Sequence, residues 1–393
     1  MTLRPFAAAA LLALVATRAQ AQDQPPQVIL PVHAADTAAF VVTIGRDTLA
    51  VERFTRMADT IRGELVSRSP RTVTRSYRAL LTSQNMVRRL EMTSRVPGTP
   101  QPPTVATVTF TADSVFTRVQ RGDSVFQFRV ASRRAFPMVN YSHAFYEQAM
   151  MHARYWGGDS VALTMSPVGS NQSFGLVIHP VGRDSMRLVN IAGAQRVATD
   201  SRGLLLGLDG AESTQKFTVT RVRDIDVAAF AAEFARRDAT QRSMGTLSPR
   251  DSAVATIGGG RVAVNYGRPF KRGRVIFGGI VPWGEVWRTG ANAATGFVTT
   301  RLLVIGGETV PAGRYTLWTL PSQEGWTLII NRQTGQWGTE YDAVQDLVRI
   351  PLRTRTLDAA VEEFTIKLDP QDAGAVLRLQ WDNTEAFVPI TIP

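Results

Sequence analysis

From Phe40 to about Arg223 apolar and polar residues alternate in short runs. Thr107-Val-Thr-Phe-Thr111, Ser124-Val-Phe-Gln-Phe-Arg-Val130 and Lys216-Phe-Thr-Val-Thr-Arg-Val222 are examples. Period-two alternation marks strands with one face buried. A turn signature punctuates the runs: Arg46-Asp-Thr-Leu49, Ala112-Asp-Ser-Val115, Gly122-Asp-Ser-Val125, Gly158-Asp-Ser-Val161 and Arg183-Asp-Ser-Met186. Asp bonds its own downstream backbone and tolerates tight turns, and Ser or Thr begins the next strand. The spacing is too irregular for a repeat protein, so these turns predict an antiparallel meander of short hairpins. Pro97-Gly-Thr-Pro100-Gln-Pro102-Pro103 reads as a loop between strands.

Two helical patterns interrupt the meander. Ser142 is placed to cap a helix running to about Tyr155, with Phe145, Ala149 and His152 near one face. Asp226 is placed to cap a second, Val227 to about Ala239, with Phe230 and Phe234 at i, i+4. Residues 37–240 therefore predict one large curved antiparallel sheet with one or two helices. As a fold-level analogy this is similar to the half-barrel of periplasmic lipoprotein-carrier proteins, and a sheet of that kind can enclose a lipid.

A linker is expected around Arg242-Ser-Met-Gly-Thr246, and a second domain over residues 247–393. Its predicted strands are Val254–Ile257, Arg261–Tyr266, Gly296–Ile305, Gly313–Leu320, Trp326–Asn331, Val361–Leu368, Val376–Trp381 and Ala386–Thr391. Gly258-Gly-Gly260 turns the first hairpin, and Val310-Pro-Ala-Gly313 leads into a later strand. Many short strands with Gly and Pro turns predict a β-sandwich. The fold class is mainly β.

The N-terminus changes the picture of where the chain resides. Arg4, the apolar run Phe6–Ala16 and the small-x-small site Ala19-Gln20-Ala21 read as a secretory signal peptide over residues 1–21. Residues 22–36 read as a flexible Gln/Pro-rich leader. The expected location is periplasmic or extracellular, with cleavage after Ala21. No later stretch approaches the roughly 20 apolar residues of a membrane-spanning helix. The chain has no cysteine, so no disulfide or lipidated cysteine is expected, and the core alone must stabilise it.

The formal charge is +11, and loss of Arg4 and Arg18 leaves +9. Lysine occurs only at Lys216, Lys271 and Lys367, so arginine carries nearly all the positive charge. The arginines are scattered, densest at Arg236-Arg237 and Lys271-Arg272-Gly-Arg274. They lack the interleaved aromatics of a single-strand groove, and nucleic acid is not an expected partner.

Most catalytic chemistries lack their residues. There is no Gly-x-Ser-x-Gly elbow. All four histidines, His33, His143, His152 and His179, precede residue 247, so a nucleophilic triad would have to cross domains. His143 and Glu147 share a helical face but His152 rotates away, which is not the spacing of a zinc helix. No metal site and no cofactor are expected. Glu285, Glu340, Asp342 and Asp346 flank aromatic positions. Such acids can pair for glycoside hydrolysis, although no spacing rule selects a pair.

The densest signal is Trp283-Gly-Glu-Val-Trp287-Arg288-Thr-Gly-Ala-Asn292, within a block that holds six of the seven tryptophans. Two readings stand side by side. Arg288 supplies a planar donor fork and Asn292 an amide to a ligand between walls of Trp283, Trp287, Trp337 and Tyr341. Alternatively the rings fill the sandwich core beneath a tucked loop. This stretch, with Ser248-Pro-Arg250, Val264-Asn-Tyr-Gly-Arg-Pro269, Arg272-Gly-Arg274, Val310-Pro-Ala-Gly-Arg-Tyr315 and Gln336-Trp-Gly-Thr-Glu-Tyr-Asp342, resembles the bacterial DUF2911 family over about residues 247–393. The resemblance implies export from a bacterial cell and no particular activity. The expected function is non-catalytic binding of a glycan or small polar molecule. The alternatives are a carboxylate-dependent hydrolase of envelope sugars and a structural or adaptor module of the envelope. Whether the chain is an enzyme, and its oligomeric state, stay open.

Overall fold

The computed structural model describes residues 36–240 and 244–393. The expected signal peptide and residues 22–35 of the expected leader lie outside the described residues. Among the described residues the protein is mainly β, with two α-helices, α1 (Ala144–Trp156) and α2 (Val227–Thr240), and two sheets. Neither helix is long and apolar enough to cross a membrane.

The first sheet has fifteen strands. From Ser124–Ala131 at one edge its order runs backwards through the chain to Asp36–Ile44. That strand pairs antiparallel with Thr218–Val222, and the order again runs backwards to Val161–Pro167 and Ala135–Met138. All five Asp-Ser/Thr signatures lie directly before strands, four of them in turns joining antiparallel neighbours. Ala135–Met138 is the exception to the antiparallel rule. It pairs parallel with Val161–Pro167 across α1, as a helical crossover requires.

The sheet is curved, and the chain itself shows why. Its two edge strands, Ser124–Ala131 and Ala135–Met138, are joined by residues 132–134 alone. So short a link spans at most roughly 14 Å, so the far edges of a fifteen-stranded sheet come together. The sheet wraps α1. Phe145, Ala149, Met150 and Ala153 are fully buried in one cluster with strand residues from both halves, among them Phe40, Leu90 and Leu188.

Ser142 does not cap α1. The N-cap position is His143, with no side-chain cap bond, and the Ser142 hydroxyl donates to Glu52 Oε1 at 2.5 Å. Glu52, fully buried in the strand Asp47–Arg56, takes the capping role through space. Its Oε2 accepts the backbone N–H groups of His143 at 2.7 Å and Ala144 at 3.1 Å. Asp226 does cap α2, accepting from Ala229 N at 2.9 Å. Helix α2 packs on the outer face, where Val227 and Phe234 meet Val51 and Val66.

The second sheet has nine strands in the order Arg250–Ile257, Gly260–Gly267, Thr295–Thr299, Gly313–Pro321, Trp326–Asn331, Asp346–Gln371, Gly374–Thr391, Leu303–Ile305 and Glu308–Val310. It folds over on itself as a sandwich around one core. Tyr266 accepts from Ile366 N at 2.9 Å, and Phe364 N donates to Pro269 O at 2.9 Å, linking the start of the sheet to its long late strand.

Three strand expectations change. Gly296–Ile305 is two strands, because Thr299 Oγ1 bonds the backbone of Arg301 and turns the chain. Val361–Leu368 belongs to a strand of 26 residues, Asp346–Gln371, with irregular register between Thr356 and Thr365. Val376–Trp381 and Ala386–Thr391 are one strand, Gly374–Thr391.

The sheets meet through the first hairpin turn. Arg46 N donates to Arg272 O, and Arg272 pairs with Asp47 at 2.7 Å. Gly45 has φ 57°, and a Cβ there would lie 2.3 Å from Arg272 O, so both the turn and the close approach require glycine.

Candidate functional site

The loop of residues 268–294 and the loop of residues 332–345 close one end of the sandwich. Trp287 exchanges backbone bonds with Thr319 at 2.7 and 2.9 Å, extending the sheet past the end of Thr295–Thr299. The two loops zip together: Gly338 N donates to Asn292 O at 3.0 Å and Ala294 N to Gln336 O at 3.2 Å. Gly338 permits this approach, since a Cβ there would lie 2.0 Å from Arg288 Cδ and 2.4 Å from Asn292 O. Asn292 itself sits at φ 64°.

Much of the aromatic cluster is core. Trp287, 8% exposed, stacks on Trp381 at 5.9 Å and meets Phe364 edge-on at 5.0 Å. Trp287 Nε1 donates to Gly290 O at 3.2 Å. Trp318 is buried and its ring lies 5.0 Å from that of Tyr341. Trp283 is 37% exposed and packs on Phe277. The structural reading therefore holds for Trp287, whichever ligand the neighbouring space takes.

That space is a cavity of about 780 Å³ between the two sheets. Trp287, Arg288, Asn292 and Tyr341 line it, with Trp318 and Trp381. Trp283 and Trp337 do not, so four of the six expected residues come together. Across from them the first sheet contributes Tyr141, Asn140 and the segment Thr214–Phe217, and the connection contributes Thr246–Ser248. The connection is tied to the first sheet, with Gly245 N donating to Pro70 O at 2.9 Å and Ser69 Oγ donating to Gly245 O at 3.1 Å.

The cavity is rich in cations. Lys216, Arg274 and Arg288 line it, with Glu285 and Glu212 as the acids. Arg288 Nη1 donates to Gly338 O at 3.3 Å; its Nε is buried without a partner among the described residues, and no carboxylate pairs with it. Burial lowers the Arg288 guanidinium to about 10, and burial, then Arg272, lowers Arg274 to about 10. Both remain charged at neutral pH. Lys216 is lowered to about 8: burial is the larger cause, followed by the charges of Arg288 and Arg274, with Glu285 and Asp209 opposing. Lys216 Nζ donates to Ala211 O, and its backbone sits at φ 54°.

Sequence reasoning missed Lys216 and Arg274 as site residues. Lys216 lies far from residue 274 in the chain, and only the packing of the two sheets unites them. Its rarity, as one of three lysines, was the available signal.

The other carboxylates have structural roles. Glu340 accepts from Trp337 N, and Asp342 caps a short 3₁₀ turn by accepting from Val344 N. Asp346 accepts from Tyr341 Oη at 2.7 Å and from Asn331 Nδ2 at 2.9 Å. Burial, then Asp346, raises the Tyr341 phenol to about 12. On α1, Glu147 ion-pairs with Arg56 and Arg221 of the first sheet, at 2.8 and 2.5 Å. The His143 and His152 rings turn instead to the carbonyls of Tyr141 and Gln84.

Residues 248–390 match the model of DUF2911, a protein family of unknown function. The DUF2911 match covers the second sheet and the Trp287–Asn292 loop. It leaves out the first sheet and Lys216, so the cavity lies between a DUF2911 region and one that this family model does not cover. No curated protein matches the chain. Among solved structures, a DUF1089 family protein from Pseudomonas aeruginosa is similar at 10% identity and a TM-score of 0.31, over 41% of this chain and 89% of that one. The binding domain of a botulinum neurotoxin, in complex with SialylT, aligns at 9% identity and a TM-score of 0.12, over 91% and 88% of the two chains.

Proposed function

We propose that this protein is exported and binds a small polar anion, a carboxylate or phosphate, in the cavity between its two sheets. The observation that carries the reading is Arg288: a half-buried guanidinium whose Nε is buried and, among the described residues, has no partner, facing a cavity that also holds Lys216 and Arg274. Buried cations without acidic partners are costly, and a bound anion offsets that cost through charge-assisted hydrogen bonds. The flat walls of Trp318 and Tyr341 suit a small planar or ring-bearing body. The leader pattern of residues 1–21 supports export, with a periplasmic or extracellular location. Of the four carboxylates a hydrolase would draw on, Glu285 lines the cavity, while Glu340, Asp342 and Asp346 are each held by the loop they stabilise and lend that reading no pair.

A thermal-shift panel tests the reading. Phosphate, small mono- and dicarboxylates and uronic acids are compared with neutral sugars, on the chain and on Arg288→Gln. At about 100 times its dissociation constant a true ligand stabilises the fold by about 2.7 kcal/mol. Stabilisation by anions, lost in the variant, is expected. A panel in which neutral sugars alone stabilise, or in which nothing does, overturns it.

A further inference from the structure

We propose that Lys216 is a reactive amine that condenses with the carbonyl carbon of a small 2-oxo carboxylate whose carboxylate is held by Arg288. The inference rests on the reading of the cavity as an anion site and adds covalent chemistry to it. Three observations converge. First, the chain uses arginine almost everywhere that a cation is needed, and lysine at only three positions. What lysine offers and arginine does not is an amine that can lose its proton and attack a carbonyl. Second, the other two lysines are ordinary: Lys271 pairs with Asp382, and Lys367 lies exposed on a strand. Lys216 lines the cavity between the sheets and has no carboxylate partner among the described residues. Third, it shares the cavity with Arg274 and Arg288, whose charges favour loss of the amine's proton and can hold an anion beside it.

The step balances without a further reactant. The neutral Lys216 amine adds to the carbonyl carbon, and one of its two protons passes from nitrogen to the carbonyl oxygen to give a carbinolamine. The second nitrogen proton then passes to that oxygen, the C–O bond breaks, water leaves, and the C=N bond of the imine forms. No electron is gained or lost. Glu285 lines the same cavity and is the first of the acids that oppose the cationic field at Lys216, which suits it to carry the proton.

The full chain is incubated with pyruvate and sodium cyanoborohydride at pH 8, and the alkylated lysines are located by peptide mass mapping. Acetone serves as the neutral carbonyl of similar size, and Lys216→Arg and Arg288→Gln as variants, each checked for fold by circular dichroism. Labelling at Lys216 at least about tenfold above Lys271 and Lys367 is expected, with pyruvate favoured over acetone about tenfold or more, the worth of one charge-assisted contact. In Arg288→Gln that preference for pyruvate disappears. Equal labelling of the three lysines, or equal labelling by acetone and pyruvate, overturns the proposal. Should Arg288→Gln not fold, the pyruvate-to-acetone ratio on the unaltered chain decides alone. Binding of lactate, which has the carboxylate but no carbonyl, is measured in parallel by calorimetry. Lactate binding without labelling ends the amine proposal and leaves the anion site standing; neither binding nor labelling ends both.

Discussion

The carboxylate of Glu52 accepts the backbone N–H of His143 at 2.7 Å, so a strand residue holds the first turn of a helix about ninety positions later. The same side chain accepts from Tyr77 Oη at 2.7 Å, so its partners come from another strand, the approach to α1 and α1 itself. Glu52→Ala strands buried donors on every side, and a loss of at least about 3 kcal/mol is expected in urea unfolding. Glu52→Gln keeps an oxygen for the two amides, while Ser142 and Tyr77 can accept from its NH₂, and is expected to cost far less. Equal losses in the two variants would show that the bonds do not matter.

Burial raises the Glu52 pKa above 4.5, against the hydrogen bonds that lower it. The stability this group contributes is therefore fully present below its unfolded pKa and is lost as pH rises through its folded one. Next to it burial lowers His143 to about 4. That contribution has the opposite sense: it is present above pH 6.5 and is lost as pH falls toward 4. The shift corresponds to about 3 kcal/mol. Unfolding free energy followed from pH 7 to pH 4 is expected to fall more gently in His143→Phe than in the unaltered chain, and more steeply in Glu52→Gln. Parallel pH profiles for all three would refute the assignment of both groups.

Tryptophans in the same short motif differ in weight. Trp287 packs among Trp381, Phe364 and Phe277, and Trp287→Ala is expected to cost about 3–5 kcal/mol. Trp283 is partly exposed against Phe277, and Trp283→Ala is expected to cost about 1 kcal/mol. Chemical denaturation of the pair settles the ranking.

The contact between the sheets is also open to test. Gly45→Val places a side chain against Arg272 O and forces a strained turn. Asp47→Asn removes only the ion pair with Arg272. In calorimetry the unaltered chain is expected to melt with its sheets coupled. Gly45→Val is expected to separate the melting into two transitions, and Asp47→Asn to lower the first sheet by about 1–2 kcal/mol without separating them. An unchanged profile in Gly45→Val would mean that the 45–272 contact does not couple the sheets.

Local chemistry was legible in the sequence. The Asp-Ser/Thr turns, the Gly258–Gly260 hairpin and the Asp226 cap each depend on residues within a few positions. What stayed hidden acts over distance. Ser142 looks like a cap until Glu52 arrives from another strand to take its place. The polar stretch Arg353–Thr356 continues a strand because its pairing with Thr384–Phe387 satisfies the backbone whatever the side chains are. Trp287, Arg288 and Asn292 line the cavity from one compact motif, and Tyr341 joins them from the second loop. Lys216 and Arg274 were not, because tertiary packing alone brings the two sheets face to face.

The pairing of Ala39 with Val222 and of Thr43 with Thr218 sets the order in which this protein can be made. Residues 36–131 pair as successive hairpins, local enough to form while the chain is still emerging, and residues 161–222 do the same among themselves. The seam between these two meanders runs through the middle of the finished sheet, and its second side, Thr218–Val222, is the last of that sheet's fifteen strands in chain order. Until then Asp36–Ile44 presents an open edge bearing Phe40 and Val42, the kind of template on which nascent chains aggregate. The centre of the finished sheet is thus its final joint, and the nascent chain is most in need of a chaperone just before that strand arrives.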